Sequence, residues 1–123
     1  TMKVPKSLKT WFLIHFIIDY IIAIPLFFFP IYTLSLLGLE TIDPVTARLV
    51  AAALFAVGGI SILAKEKSKE TFNTLLTLKL IWSGTAVLGL LFSIYQGYPK
   101  ILWVFVIIFG LFFELWHYYK KKL

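Results

Sequence analysis

The 123-residue chain contains no cysteine, only two histidines and only six acidic residues. Without cysteine there are no structural disulfides, thiolate nucleophiles, iron–sulfur clusters or thiolate zinc sites, and the redox compartment stays open. Several chemistry-bearing motifs are also missing. There is no nucleophile elbow, no glycine-rich phosphate loop and no His-Glu-x-x-His pair. Gly58-Gly59 falls in the middle of an apolar run, where it cradles no phosphate. No enzymatic activity is expected of this chain. Charged residues make up 15% of the sequence, against about 25% in ordinary soluble domains. The net charge is +6, but no stretch combines a basic groove with stacking aromatics, so nucleic acid is not an expected partner.

Apolar residues are abundant instead. The chain is 60% hydrophobic and 18% aromatic, with a mean hydropathy of +0.91, whereas soluble domains are about 45–50% apolar. Four apolar runs of about 20 residues, the length that crosses a bilayer core of about 30 Å, take up nearly all of residues 1–123. They predict a single integral membrane domain. The spans are expected at Lys9–Phe29, Asp43–Ala64, Thr71–Tyr95 and Lys100–Tyr119. Asp43-Pro44 reads as a helix start, with Asp at the N-cap and Pro at the first helical position. Pro25 should kink or loosen the end of the first span, and Pro30 should stop it. The stretch Ile31–Leu39 reads as a turn or a short helix. The first run does not read as a cleaved signal peptide, because it contains Asp19 and Pro25 and ends in Phe27-Phe28-Phe29-Pro30 rather than small residues.

Orientation follows from the basic flanks. Lys3, Lys6, Lys9, Lys65, Lys67, Lys69, Lys120, Lys121 and Lys122 fall on one side, against Arg48 and Lys100 on the other. The fold expected is an all-α, antiparallel, up-down four-helix transmembrane bundle with both termini cytoplasmic, in the cell membrane. The second span is rich in small residues, with Ala52, Ala56 and Gly59 on one face and Ala47 and Ala51 on another. The third carries Ser83, Gly84, Ala86 and Gly89. Small faces let helix backbones approach closely in lipid, so these two spans are expected to be neighbours. The small faces of the second span are also candidate contacts for a homo-oligomer.

The candidate site is the set of polar residues inside the spans. A charged side chain at the centre of a bilayer costs about 2.5–3.5 kcal/mol on insertion scales, so Asp19, Lys79 and Glu114 demand an explanation. Counting a rise of 1.5 Å per residue sets all three at mid-depth or in the inner half. They are therefore expected to cluster, with Glu114 joining Asp19 and Lys79 from below. Trp11, His15 and Asp19 are spaced i, i+4, i+8 and share one helix face, so His15 can hydrogen-bond Asp19. Asn73, Thr77, Ser83 and Thr85 add polar atoms to the third span. Arg48 lies nearer the outer end, where it is expected to guard the mouth or to pair with Asp43 or Glu40. Three readings of the set compete: a structural ion pair fixing helix register, a path for protons or ions, and an anchor for a small molecule or lipid headgroup. Glu114-x-x-His117 has a di-iron spacing, but the further carboxylates of such a site are missing. His15 and His117 fall at one depth, which leaves a two-histidine haem open. No cofactor is expected on balance.

Asp19 with Pro25 and the Phe run, Asp43-Pro44-Val45-Thr46-Ala47-Arg48-Leu49 leading into Ala51-Ala52-Ala53-Leu54-Phe55, and Leu78-Lys79-Leu80-Ile81-Trp82-Ser83 together resemble a group of small four-helix membrane proteins of bacteria and archaea. The layout is similar to that of DoxX-like membrane proteins, which implies at most a subunit of a redox complex. The resemblance carries over no catalytic residue. The leading expectation is a small membrane protein that binds or passes a small solute or ion as an oligomer. Asp19, Lys79, His15, Glu114, Arg48, Ser83 and Trp82 are its candidate ion- or ligand-binding residues. The rival is a non-enzymatic subunit that binds or anchors haem, quinone, lipid or a partner protein.

Overall fold

The computed structural model describes residues 4–40, 43–64 and 68–122. Three of the expected basic flank residues, Lys3, Lys65 and Lys67, lie outside the described residues. The described chain is helical throughout, with five helices: α1 (Lys6–Phe28), α2 (Pro30–Leu36), α3 (Pro44–Leu63), α4 (Lys69–Tyr95) and α5 (Leu102–Lys122). α1, α3, α4 and α5 have 23, 20, 27 and 21 residues and are long and apolar enough to cross a membrane. Their lengths correspond to about 30–40 Å at the α-helical rise. The chain divides into two compact units, one holding α1, α2 and α3 and the other holding α4 and α5.

In the first unit, α1 runs on through Pro25 to Phe28. The break falls at Phe29 (φ −132°, ψ 61°), immediately before Pro30, which opens α2. Proline has no N–H to give and restrains the residue before it away from helical geometry. Pro25 has no N–H to give the Ile21 carbonyl one turn back, and α1 continues past it for only three residues. Its own carbonyl accepts the Phe29 N–H at 2.8 Å and the Thr33 hydroxyl at 3.0 Å. The stretch read as a turn or short helix is thus the seven-residue α2. α3 begins as its sequence indicates. Asp43 Oδ1 accepts the Val45 N–H at 2.9 Å, Asp43 Oδ2 accepts the Thr46 hydroxyl at 2.9 Å, and Pro44 occupies the first turn.

α1 and α3 are antiparallel neighbours: contacts pair Phe27 with Arg48, Tyr20 with Phe55 and Asp19 with Gly58. The buried stripe of α1 is Leu8, Phe12, His15, Asp19, Ala23 and Leu26, a three-and-four spacing that follows one helix face. The buried face of α3 is Ala47, Ala51, Leu54, Val57, Gly58 and Ser61. Ala52 and Ala56 are exposed, so of the two small faces seen in the sequence it is the Ala47–Ala51 one that packs.

In the second unit, Ser68 caps α4 by accepting the Thr71 N–H at 3.3 Å, and Glu70 in the first turn suits the positive end of the helix dipole. α4 ends in a Schellman motif. The Tyr98 N–H bonds Ser93 O at 3.1 Å, the Gly97 N–H bonds Ile94 O at 3.0 Å, and Gly97 sits at φ +97°, where a side chain would be strained. α5 packs antiparallel on α4, with Trp82 against Phe109, Gly84 against Phe113 and Asn73 against Lys120. The helix reaches Lys122, beyond the Tyr119 expected from hydropathy. Lysines end an apolar run, but at a helix C-terminus they favour the helix through its dipole. The neighbour of α3 within its unit is α1, and that of α4 within its unit is α5.

Candidate functional site

The i, i+4 spacing of His15 and Asp19 sets both on the buried stripe of α1, and His15 Nε2 lies 3.4 Å from Asp19 Oδ2. Both residues are 3% exposed. Two charged or polar groups withdrawn from solvent on an otherwise apolar helix cost free energy unless they are partnered, and the helix sets these two within ion-pair distance one turn apart.

α3 fixes the pair from the other side. A Cβ at Gly58 would stand 2.9 Å from Asp19 Cβ and 3.2 Å from the Tyr20 ring, so only glycine lets α3 approach α1 at this level. Tyr20 continues the contact. Its hydroxyl donates to Phe55 O at 3.1 Å, its ring meets Phe55 edge-on at 5.0 Å between centroids, and it packs on Phe16 at 4.5 Å. Gly59 leaves room for the tip of that ring, since a Cβ there would lie 2.9 Å from the Tyr20 hydroxyl. Neither Tyr20 nor Gly58 stood out in the sequence as part of the site. The signal was there: a Gly-Gly pair in mid-helix, where glycine is unfavourable by about 1 kcal/mol relative to alanine.

Arg48 does not pair with Asp43 or Glu40. Asp43 directs both carboxylate oxygens to the first turn of its own helix. Arg48 Nε donates instead to Phe27 O at 3.0 Å. Phe27 is in the last turn of α1, where the break before Pro30 leaves carbonyls without intrahelical donors. An arginine there supplies a donor and the sign of charge that the C-terminal dipole favours. Arg48 therefore ties the end of α1 to the start of α3.

In the second unit, Lys79 is fully buried. Its ammonium lies 5.0 Å from the centre of the Trp116 ring, a cation–π distance, and Phe112 stacks on the same ring at 5.4 Å. Trp116 is itself fully buried. Ser83, one turn on from Lys79, is buried and donates its hydroxyl to Lys79 O at 2.7 Å, so its proton is held within its own helix and only its oxygen lone pairs remain to accept. Thr77, Thr85 and Ser93 bond back to their own helix in the same way, the usual arrangement for hydroxyls in helices. Trp82 packs edge-on to Phe109 at 6.1 Å, with its indole Nε1 buried and without an acceptor.

Glu114 departs from expectation. It is exposed on α5 and does not join a buried charge cluster. The buried residues near it are Trp116 and Tyr119. Two residues is about 200° around a helix, so burying Trp116 turns Glu114 outward. His117 is likewise exposed and stacks on Phe113 at 6.5 Å. Among the described residues, no three His, Asp or Glu side chains gather in a group that could hold a metal ion.

No protein-family model, curated protein or solved structure matches this chain, so the DoxX-like resemblance finds no support.

Proposed function

We propose that the chain is a multi-pass protein of the cell membrane, with both termini in the cytoplasm, which as a homo-oligomer binds and passes a small solute or ion. The buried His15–Asp19 pair on α1 carries this reading. An ionisable pair inside a helix long and apolar enough to cross a membrane marks a functional position by default, because an apolar stripe would pack at lower cost. In this account Asp19 is the carboxylate that meets the moving ion or proton. His15, one turn toward the N-terminus, is the group that exchanges a proton with it. Lys79 and Trp82 on α4 contribute the cationic and hydrogen-bonding groups of the second unit. Arg48 fixes the end of α1 and takes no part in the path.

The close fit of Asp19 against Gly58 supports a second reading, in which the pair is closed and dry and the chain is a non-enzymatic subunit anchoring haem, quinone, lipid or a partner protein. Proteoliposomes separate the two. The proposal expects flux of protons or small cations in the parent, and loss of that flux in Asp19→Asn protein that keeps its helical circular dichroism. No flux in the parent, with Asp19→Asn merely unfolding the protein, would assign the pair to structure.

A further inference from the structure

Glu114 faces outward on α5. It lines an open groove of about 550 Å³ between α4 and α5, together with Ile81, Gly84, Leu88, Gly110 and Phe113. Gly110 and Glu114 are one turn apart on the same face of α5. Across from them, Ile81, Gly84 and Leu88 follow the matching three-and-four spacing on α4. Gly84 allows Phe113 to lean in, since a Cβ there would lie 3.2 Å from that ring. Gly110 leaves the floor open, with nothing within 4 Å of the position a Cβ would take. The Thr85 hydroxyl on the same wall is bonded back to Ile81 O at 2.7 Å. The Glu114 carboxyl is therefore the one ionisable group on an otherwise apolar wall.

We infer that this groove binds a lipophilic organic cation, with Glu114 as its counter-charge and the Phe113 ring against its apolar body. The volume lies within the range of about 300–1,000 Å³ typical of small-molecule sites, which are mostly apolar with a few placed polar groups. A carboxylate on an apolar wall is stabilised by a cation that brings its own apolar surface, and an aromatic face beside it favours the same ligand. A neutral apolar molecule leaves the carboxylate uncompensated, and an anion is repelled. The inference does not depend on conduction at the His15–Asp19 pair.

The test is equilibrium binding of radiolabelled tetraphenylphosphonium to the full chain in neutral detergent. Two variants accompany the parent. Glu114→Gln removes the charge and keeps the shape. Gly110→Leu fills the groove without touching the carboxylate, and replacing a helical glycine does not threaten folding. The expected result is saturable binding by the parent, weakened about tenfold or more in each variant. Absence of binding by the parent would overturn the inference. So would binding that Gly110→Leu abolishes and Glu114→Gln leaves intact, since that describes an apolar slot indifferent to charge. A second copy of the chain as occupant would also overturn it, and would show as a parent that ignores the probe while Gly110→Leu changes the oligomeric mass.

Discussion

The approach of α3 to α1 at Asp19 can be tested by adding a single methyl group. Gly58→Ala sets a Cβ 2.9 Å from Asp19 Cβ and 3.2 Å from two atoms of the Tyr20 ring. Carbon atoms rest at about 3.5–4.0 Å, so the helices must part by several tenths of an ångström. The obstructing atom is a Cβ fixed to the backbone of α1, which cannot rotate away. Overpacking of this kind costs about 1–3 kcal/mol, against a gain of about 1 kcal/mol from replacing a helical glycine. Gly89→Ala isolates the second effect, because nothing lies within 4 Å of its added methyl. The helix gain cancels in the comparison, so Gly58→Ala should be less stable than Gly89→Ala by about 1–3 kcal/mol. Reversible unfolding in mixed micelles measures both. Gly59→Ala should fall between them, since its methyl meets the tip of the Tyr20 side chain. Equal stability of Gly58→Ala and Gly89→Ala would refute the claim that glycine is needed to seat Asp19.

Three further expectations follow from the same geometry. Arg48→Met leaves Phe27 O without its donor at 3.0 Å and should destabilise the protein by about 1–2 kcal/mol; unchanged unfolding would show that water serves the carbonyl equally well. Trp116→Phe keeps an aromatic face near the Lys79 ammonium, now 5.0 Å from the ring centre, and should be more stable than Trp116→Leu by about 0.5–2 kcal/mol; equal losses would mean that the ring acts by volume alone. The chain has no cysteine, so single cysteines at Ser7 and at Gln96 report topology without background. An impermeant thiol reagent added outside intact cells should label the Gln96 site and spare the Ser7 site, and the opposite pattern would reverse the orientation.

The long helices are legible in the sequence because apolar runs, proline positions and the Asp43-Pro44 start each act locally. The His15–Asp19 pair is legible for the same reason, since i, i+4 spacing on a helix fixes proximity without tertiary information. What the sequence leaves open depends on which face of a helix turns inward. Hydropathy is nearly uniform around these helices, so nothing local says that Trp116 faces in and Glu114 out, or that Ala51 packs while Ala52 does not. The partner of Arg48 was hidden too, because a backbone carbonyl at a helix break has no signature in residue type. The end of α5 was misjudged because hydropathy marks where an apolar run stops, and Lys120, Lys121 and Lys122 continue the helix past that point.

The central claim is that Asp19 lies on a path water and ions can reach. Its most direct test is the reactivity of Asp19→Cys in a chain that otherwise lacks thiols. In sealed proteoliposomes, the account predicts modification of Cys at this position by a small charged methanethiosulfonate, at a rate well above that of a cysteine set at Ala23 on the same buried stripe. Equal inertness of the two positions, in protein that remains folded, would contradict the account and leave the His15–Asp19 pair as a dry structural contact.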